Sequence, residues 1–228
     1  MLANLAMEAG ELEKAEKLFV NVMRRLVSKG VAQDDNAIVD MSLKLSKIYQ
    51  KKGDMEKAEA GYKFCVESQE QKCNAAGVVG RDNDTLYLYA KSCDGYARLL
   101  LTRKKYAMAE SMFRAAYRIC LEANGDGSSQ CLVLLNDIGI TLSLQEKLEE
   151  ALKVLEDAVR LAEQLKAPEL ASFQVNLGVL LIQKGLIIEA EKSCKAALGH
   201  AHKNKDEDAT QEAEACLKSI HDLKASNL

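Results

Sequence analysis

Lysine residues recur at helical spacing in one stretch of the sequence, at Lys44, Lys47 and Lys51. Positions i, i+3 and i+7 lie on one face of an α-helix, so this spacing predicts a strip of three cations. Such a strip can bind carboxylates through charge-assisted hydrogen bonds. Lysines on an exposed helix face are also ordinary solubilising charges, and the sequence alone leaves both interpretations open.

Four further polar side chains fall at comparable places in later segments. They are Lys91, Arg98, Asn136 and Asn176. Together with the lysine strip they predict a groove for protein partners that is basic toward its N-terminal half. A helical or extended peptide with acidic side chains would fit such a groove.

A catalytic or metal centre has little support in the sequence. His200 and His202 are two residues apart, so on a helix their side chains point in different directions and do not share a metal. The carboxylates of residues 146–157 are typical of a solvated helix face. Gly77 to Gly80 lacks the lysine and helix start of a phosphate-binding loop. We therefore predict a protein that is not an enzyme and has neither cofactor nor metal.

Composition limits the fold and the class of partner. The 228 residues include one proline and no tryptophan, and Ala, Leu, Glu and Lys are frequent, which favours an almost entirely helical protein. The net charge of −3 argues against nucleic acid, which usually requires a strongly basic face. No apolar run approaches the roughly 18 residues of a membrane span, so membrane association is expected only through sequence absent here.

An alanine recurs along the whole chain in similar surroundings, as in the pair of segments GELEKAEKLF and GDMEKAEAGY. The recurring positions are Ala15, Ala58, Ala109, Ala151 and Ala190. A small residue precedes four of these alanines by about a dozen positions, at Ser46, Ala97, Gly139 and Gly178. Two small residues allow close contact between antiparallel helices, so each repeat is predicted to be a helix hairpin that stacks on its neighbours.

This pattern resembles the tetratricopeptide repeat. The resemblance implies a right-handed solenoid of about five hairpins in a single domain, 1–228, with part of its N-terminal end missing. The predicted repeats are 1–30, 36–71, 86–123, 129–166 and 169–204, followed by a capping helix at 206–224. Two departures are expected to loosen local packing. The first position of the pattern is filled by Ser42, Cys93, Leu135 and Gln174, and the turn glycine is replaced by Lys104 and Glu146.

The connections and the ends of the chain are also predicted. Turn-forming residues indicate a loop from Lys72 to Leu86 and a shorter one from Asn124 to Gln130, with Gly125 as a helix stop and Ser128 or Ser129 as the next cap. Because repeat one begins inside its own first helix, we expect a fragment whose N-terminal leucines, Leu2, Leu5 and Leu12, are partly exposed.

Seven scattered cysteines without any C-x-x-C pair predict unpaired thiols, most of them buried, in a reducing compartment. Tetratricopeptide proteins that bind chaperone tails use a clamp of Lys, Asn, Asn, Lys and Arg. At one register the inner positions here are Lys47, Arg98, Ile140 and Val179, so that clamp is incomplete and chaperone-tail binding is disfavoured.

Several stretches resemble the mitochondrial tetratricopeptide repeat protein nineteen family more specifically. The most telling is DDNAIVDMSLKLSKIY, because the repeat itself does not require DNAI before the helix. The resemblance implies a mitochondrial inner-membrane protein that supports assembly and maintenance of respiratory complex III around its Rieske iron–sulfur subunit. The alternative is a soluble adaptor that binds acidic peptides and shares only the repeat architecture.

Overall fold

The computed structural model describes residues 2–76, 82–124 and 128–226, and within these ranges it contains helices and no strand. The chain divides into two compact units, 1–123 and 124–228. The helices are α1 (Leu2–Glu8), α2 (Leu12–Ser28), α3 (Asn36–Lys52), α4 (Met55–Ala76), α5 (Asn83–Thr102), α6 (Tyr106–Asn124), α7 (Ser129–Leu144), α8 (Leu148–Leu165), α9 (Leu170–Gln183), α10 (Ile187–Asn204) and α11 (Glu207–Ser226). The all-α prediction is confirmed, whereas the assignment of a single domain stays a prediction.

Small residues lie where the two helices of a hairpin approach most closely, as their spacing predicts. The five recurring alanines are fully buried. A Cβ atom added to Gly139 of α7 would lie 2.6 Å from two carbons of Leu155 on α8. In the hairpin of α3 and α4, a Cβ on Gly61 would lie 2.2 Å from the Ser46 hydroxyl. Close backbone contact therefore explains the repeated small residues.

The turns inside the hairpins have one common geometry, even where glycine is replaced. Gly53 has φ of 82° and Gly185 has 74°, and Lys104 and Glu146 adopt similar left-handed values of 57° and 62°. At Gly53 the amide of the turn residue bonds the carbonyl of Gln50, and at Lys104 the equivalent amide bonds Leu101. The expected loosening is not seen in these hydrogen bonds, because the backbone at Lys104 and Glu146 adopts the left-handed conformation even though these residues have a Cβ atom.

The prediction of a loop from Lys72 to Leu86 is wrong over most of its length. Helix α4 continues to Ala76 and α5 begins at Asn83, while residues 77–81 lie outside the described ranges. Cys73 is buried against Leu86 and Ile119, so packing stabilises the end of α4. The Asp82 carboxylate accepts from the Thr85 amide at 3.1 Å and caps α5 one turn earlier than expected.

The asparagine of the DNAI motif joins the ends of three helices. Asn36, at the start of α3, donates from Nδ2 to the Thr85 hydroxyl at 3.0 Å and to Asp82 Oδ2 at 3.3 Å. Its Oδ1 accepts from Lys72 Nζ on α4 at 3.2 Å. The motif therefore has a structural role that a single repeat does not require.

Ser128 caps α7, because its hydroxyl accepts from the Cys131 amide at 3.2 Å. The cap is therefore Ser128 and not Ser129. Gly125, proposed as the preceding helix stop, lies outside the described residues. At the N-terminal end, Leu2 and Leu5 are 73% and 54% exposed, as expected.

The terminal helix α11 packs against α9 and α10, as predicted for a capping helix, and it buries Ala213, Cys216 and Ile220. The prediction of unpaired thiols is wrong, because Cys194 of α10 and Cys216, for example, form a disulfide. Their alignment across two packed helices has no signature in sequence spacing. Cys65 and Cys93 are free thiols, and they are buried, as is Cys73. Over the described ranges, no helix is both long and apolar enough to cross a membrane.

Candidate docking surface

The first helix of each hairpin presents the predicted binding residues. In the first unit, α3 carries Lys44, Lys47 and Lys51, and α5 carries Lys91 and Arg98. These two helices are in direct contact with each other as well as with α4 between them in sequence. We name as the basic cluster Lys44, Lys47, Lys91, Arg98, Asp40 and Asp94.

Lys47 is one of the half-buried members of the basic cluster. Burial lowers the pKa of its ammonium group, and the neighbouring charges of Lys91 and Arg98 lower that pKa further. Asp94 and Asp40 act in the opposite direction. The predicted cations of α3 and α5 are thus close enough to influence one another, which the sequence of either helix alone does not establish.

Two carboxylates belong to this cluster that the sequence interpretation missed. Asp40 Oδ2 lies 2.5 Å from Lys44 Nζ, and Asp94 Oδ1 lies 3.0 Å from Arg98 Nε. Both pairs have i, i+4 spacing, a signal that the sequence did contain. Lys44 and Arg98 are therefore partly neutralised, and the surface is less basic than predicted.

Lys47 and Lys91 differ from Lys44 and Arg98 in their ion pairs. No carboxylate in the described ranges lies within ion-pair distance of either ammonium group. Lys91 Nζ lies 5.2 Å from the centre of the Tyr87 ring, which orients the cation without neutralising it. Lys51 is exposed on α3 and makes no ion pair within the described part of the chain. An incoming carboxylate would therefore find Lys47, Lys51 and Lys91 without a competing carboxylate.

The two predicted asparagines lie in the second unit and contact each other. Asn176 of α9 donates from Nδ2 to Oδ1 of Asn136 on α7 at 3.1 Å. Asn136 is buried, whereas Asn176 is half-buried. Their mutual hydrogen bond connects two neighbouring hairpins and leaves only Asn176 accessible for a ligand.

Two buried thiols of the first unit are poor nucleophiles. Burial raises the pKa of both the Cys65 and the Cys93 thiol to about 12, so the nucleophilic thiolate is scarce near neutral pH. No group of three or more metal-ligating side chains is found in the described ranges. The basic cluster is therefore equipped for electrostatic binding.

The chain is similar to proteins of one repeat family. Sequence patterns described as Tetratricopeptide repeat match residues 39–72 and 88–164. "Tetratricopeptide repeat protein 19, mitochondrial" of Mus musculus is 35% identical over 217 residues, which cover 92% of this chain and 60% of that protein. The Drosophila melanogaster homolog is 33% identical over 96% of this chain and 59% of its own length. The chain thus spans about 60% of the length of these relatives.

Solved structures share the fold at low sequence identity. The apo form of RapI has a TM-score of 0.75 at 15% identity, over 99% of this chain and 81% of that one. YrrB, described as a TPR protein with an unusual peptide-binding site, has a TM-score of 0.59 at 17% identity, over 93% and 88% of the two chains. The predicted solenoid of helix hairpins is confirmed by this likeness.

Proposed function

We propose, since this chain is a tetratricopeptide repeat protein related to mitochondrial tetratricopeptide repeat protein 19, that it is a non-enzymatic scaffold for respiratory complex III. In this proposal it supports assembly and maintenance of that complex around the Rieske iron–sulfur subunit at the mitochondrial inner membrane. The relatives' names support the mitochondrial location. The partners of the whole protein are likewise proposed, because this chain spans only about 60% of the length of its relatives.

The basic cluster is the observation that supports a binding role most directly. A half-buried ammonium group next to two other cations costs folding free energy, because burial and like charges both disfavour its protonated form. A partner carboxylate placed between Lys47 and Lys91 would remove that cost and gain charge-assisted hydrogen bonds. Surface lysines without a binding role are normally solvated and carry no such cost.

The second candidate function is a soluble adaptor that binds acidic peptides. The same pair, Lys47 and Lys91, supports it, since two adjacent cations recognise acidic side chains whatever protein carries them. The two candidates differ in the identity of the partner and agree on the surface that binds it.

Affinity capture of the full-length protein from detergent-extracted mitochondria tests both proposals, with bound chains identified by mass spectrometry. We expect complex III subunits to be enriched over other respiratory complexes, and the double variant Lys47→Glu, Lys91→Glu to reduce that enrichment about tenfold. The matched control is Lys17→Glu, Lys63→Glu, which reverses two exposed lysines on α2 and α4 of the same unit.

The outcomes separate the candidates. Enrichment of unrelated soluble proteins with acidic segments would favour the adaptor and overturn the complex III proposal. Capture of complex III that is equal in both double variants, with unchanged helicity, would overturn the assignment of the basic cluster as the binding surface.

A further inference from the structure

The second unit presents a surface whose chemistry is opposite to that of the basic cluster. Helices α7 and α9 contain a single charged residue between them, Asp137. At the register that Lys47 and Arg98 occupy in the first unit, these helices carry Ile140 and Val179. The first helices of these hairpins are therefore apolar where their counterparts are cationic.

An apolar cavity opens on this surface between α9 and the terminal helix α11. Its volume is about 370 Å³. It is lined by Val175, Val179, Ile182, Gln183, Glu212, Ala215, Cys216 and Ser219. Cavities that bury a drug-sized ligand usually measure about 300–1,000 Å³, so this one is near the lower limit and has room for one or two side chains.

The cavity remains open although α11 packs against α9. Val179 is 43% exposed at its edge, while Val175 beneath it is buried. Ala215 is exposed on the α11 side, and its short side chain leaves the space that a leucine would fill. An exposed apolar side chain such as Val179, next to a small residue such as Ala215, is typical of a pocket for an anchoring side chain.

The rim determines the charge of the occupant. Glu212 is the only charged residue that lines the cavity, and within the described part of the chain it makes no ion pair. Gln183 and Ser219 are exposed at the same rim. Gln183 Oε1 accepts from the Ser143 hydroxyl at 2.7 Å, and the Ser219 hydroxyl donates to the Ala215 carbonyl at 3.0 Å, so the Gln183 amide nitrogen is the group that can donate to a ligand. Glu212 repels an acidic peptide and attracts a basic one, so the ligand of the basic cluster does not fit here.

We propose that this cavity binds a segment of a partner protein in which a branched aliphatic side chain lies close in sequence to a lysine or arginine. The aliphatic side chain enters between Val179 and Ala215, and the cation bonds the Glu212 carboxylate. The Gln183 amide nitrogen donates to the backbone of the segment. This inference rests on the proposed function only in taking the protein to be an interaction scaffold, and it does not depend on complex III.

Site-specific photo-crosslinking tests the proposal in cells that express the full-length protein. p-Benzoylphenylalanine replaces Ser219 at the rim, and in a control protein it replaces Ile188, which is 80% exposed on α10. Mass spectrometry then gives the sequence of each crosslinked segment. We expect position 219 to crosslink a segment with a Leu, Ile or Val within four residues of a Lys or Arg, and position 188 not to crosslink that segment.

Two second-site variants of the position 219 protein complete the test. Glu212→Lys should reduce the crosslink yield about fivefold through charge reversal, and Val179→Asp should reduce it at least as much by placing a charge in the apolar cavity. A thermal melt of each variant by circular dichroism verifies folding; both replaced side chains are exposed. As the matched control, Glu214→Lys reverses another exposed carboxylate of α11 that does not line the cavity.

Several results would overturn the inference. The crosslinked segment could be acidic or belong to this same chain. Position 219 could also give no more crosslinking than position 188, or a crosslink yield that Glu212→Lys does not change. A basic aliphatic segment from a protein outside complex III would support the cavity assignment while the complex III proposal fails. Capture of complex III without a crosslink at position 219 would support the complex III proposal and overturn the cavity assignment.

Discussion

Lys47 of α3 and Lys91 of α5 lie near each other although 43 residues of sequence separate them, and the charge of Lys91 helps to lower the pKa of Lys47. A protein that retains two neighbouring unpaired cations at a half-buried position gives up some stability there. This relationship connects the stability of the first unit to its proposed binding role.

Replacement of Lys47 by methionine should raise stability while weakening partner binding. The lowered pKa means that the unfolded chain holds the Lys47 proton more tightly than the folded protein. The cost is therefore fully present at neutral pH and disappears as pH rises toward the unfolded value near 10.5. We expect a gain of about 0.5–1 kcal/mol at pH 7 that shrinks by pH 10.

Urea denaturation at both pH values measures this gain. Lys51→Met, on the exposed face of the same helix, should change stability by less than about 0.5 kcal/mol. An equal gain at pH 7 and pH 10 would contradict the electrostatic explanation and indicate a purely hydrophobic effect.

Glycine should stabilise the protein at the two turns inside hairpins that have a non-glycine residue at positive φ. Lys104 and Glu146 adopt positive φ, which is unfavourable by about 1–2 kcal/mol for a residue with a Cβ atom. Part of this is offset because glycine gains more entropy in the unfolded chain. We expect Lys104→Gly and Glu146→Gly each to add about 0.5–1 kcal/mol in urea denaturation, whereas Lys51→Gly inside α3 should lose a similar amount. Destabilisation by both turn variants would mean that their side chains contribute to stability at the turns.

The asparagine of the DNAI motif should be important for stability. Asn36→Ala removes hydrogen bonds to Thr85, Asp82 and Lys72 that join three helix ends. The bond to the Thr85 hydroxyl, at 3.0 Å, is partly buried. We expect a loss of about 1–3 kcal/mol in thermal or urea unfolding, since partly buried groups are left unpaired. Asn21→Ala, at an exposed position of α2, is the control and should cost less than about 0.5 kcal/mol. Similar losses for both variants would show that the hydrogen bonds of Asn36 between helix ends do not contribute to stability.

Two glycines inside helices should respond oppositely to alanine. At Gly139 an added Cβ would lie 2.6 Å from Leu155, so Gly139→Ala should cost about 1–3 kcal/mol by overpacking. At Gly199 of α10 nothing lies within 4 Å of the added atom, so Gly199→Ala should gain up to about 1 kcal/mol from helix propensity. Thermal melts of the two variants give the comparison directly, and a gain at Gly139 would contradict close contact between α7 and α8.

Sequence reasoning succeeded where one repeated position has one structural cause. The five alanines are buried because every hairpin brings its two helices together at the same place. The loop predicted at residues 72–86 is wrong because turn-forming residues act locally, whereas the buried contact of Cys73 with Leu86 and Ile119 stabilises helix there. The ion pairs of Asp40 and Asp94 follow from i, i+4 spacing with Lys44 and Arg98, and a pattern of cations alone does not indicate them.

The sequence by itself determined the helical class, the hairpin unit and the register of its turns, since these depend on local periodicity and on small residues at fixed spacing. Only the tertiary structure decided which side chains from different hairpins meet. The neighbours of Lys47 on α5, the disulfide of Cys194 with Cys216, and the cavity between Val179 and Ala215 all depend on how hairpins stack. Stacking is governed by the packing of whole helix faces, and no spacing within one helix specifies it.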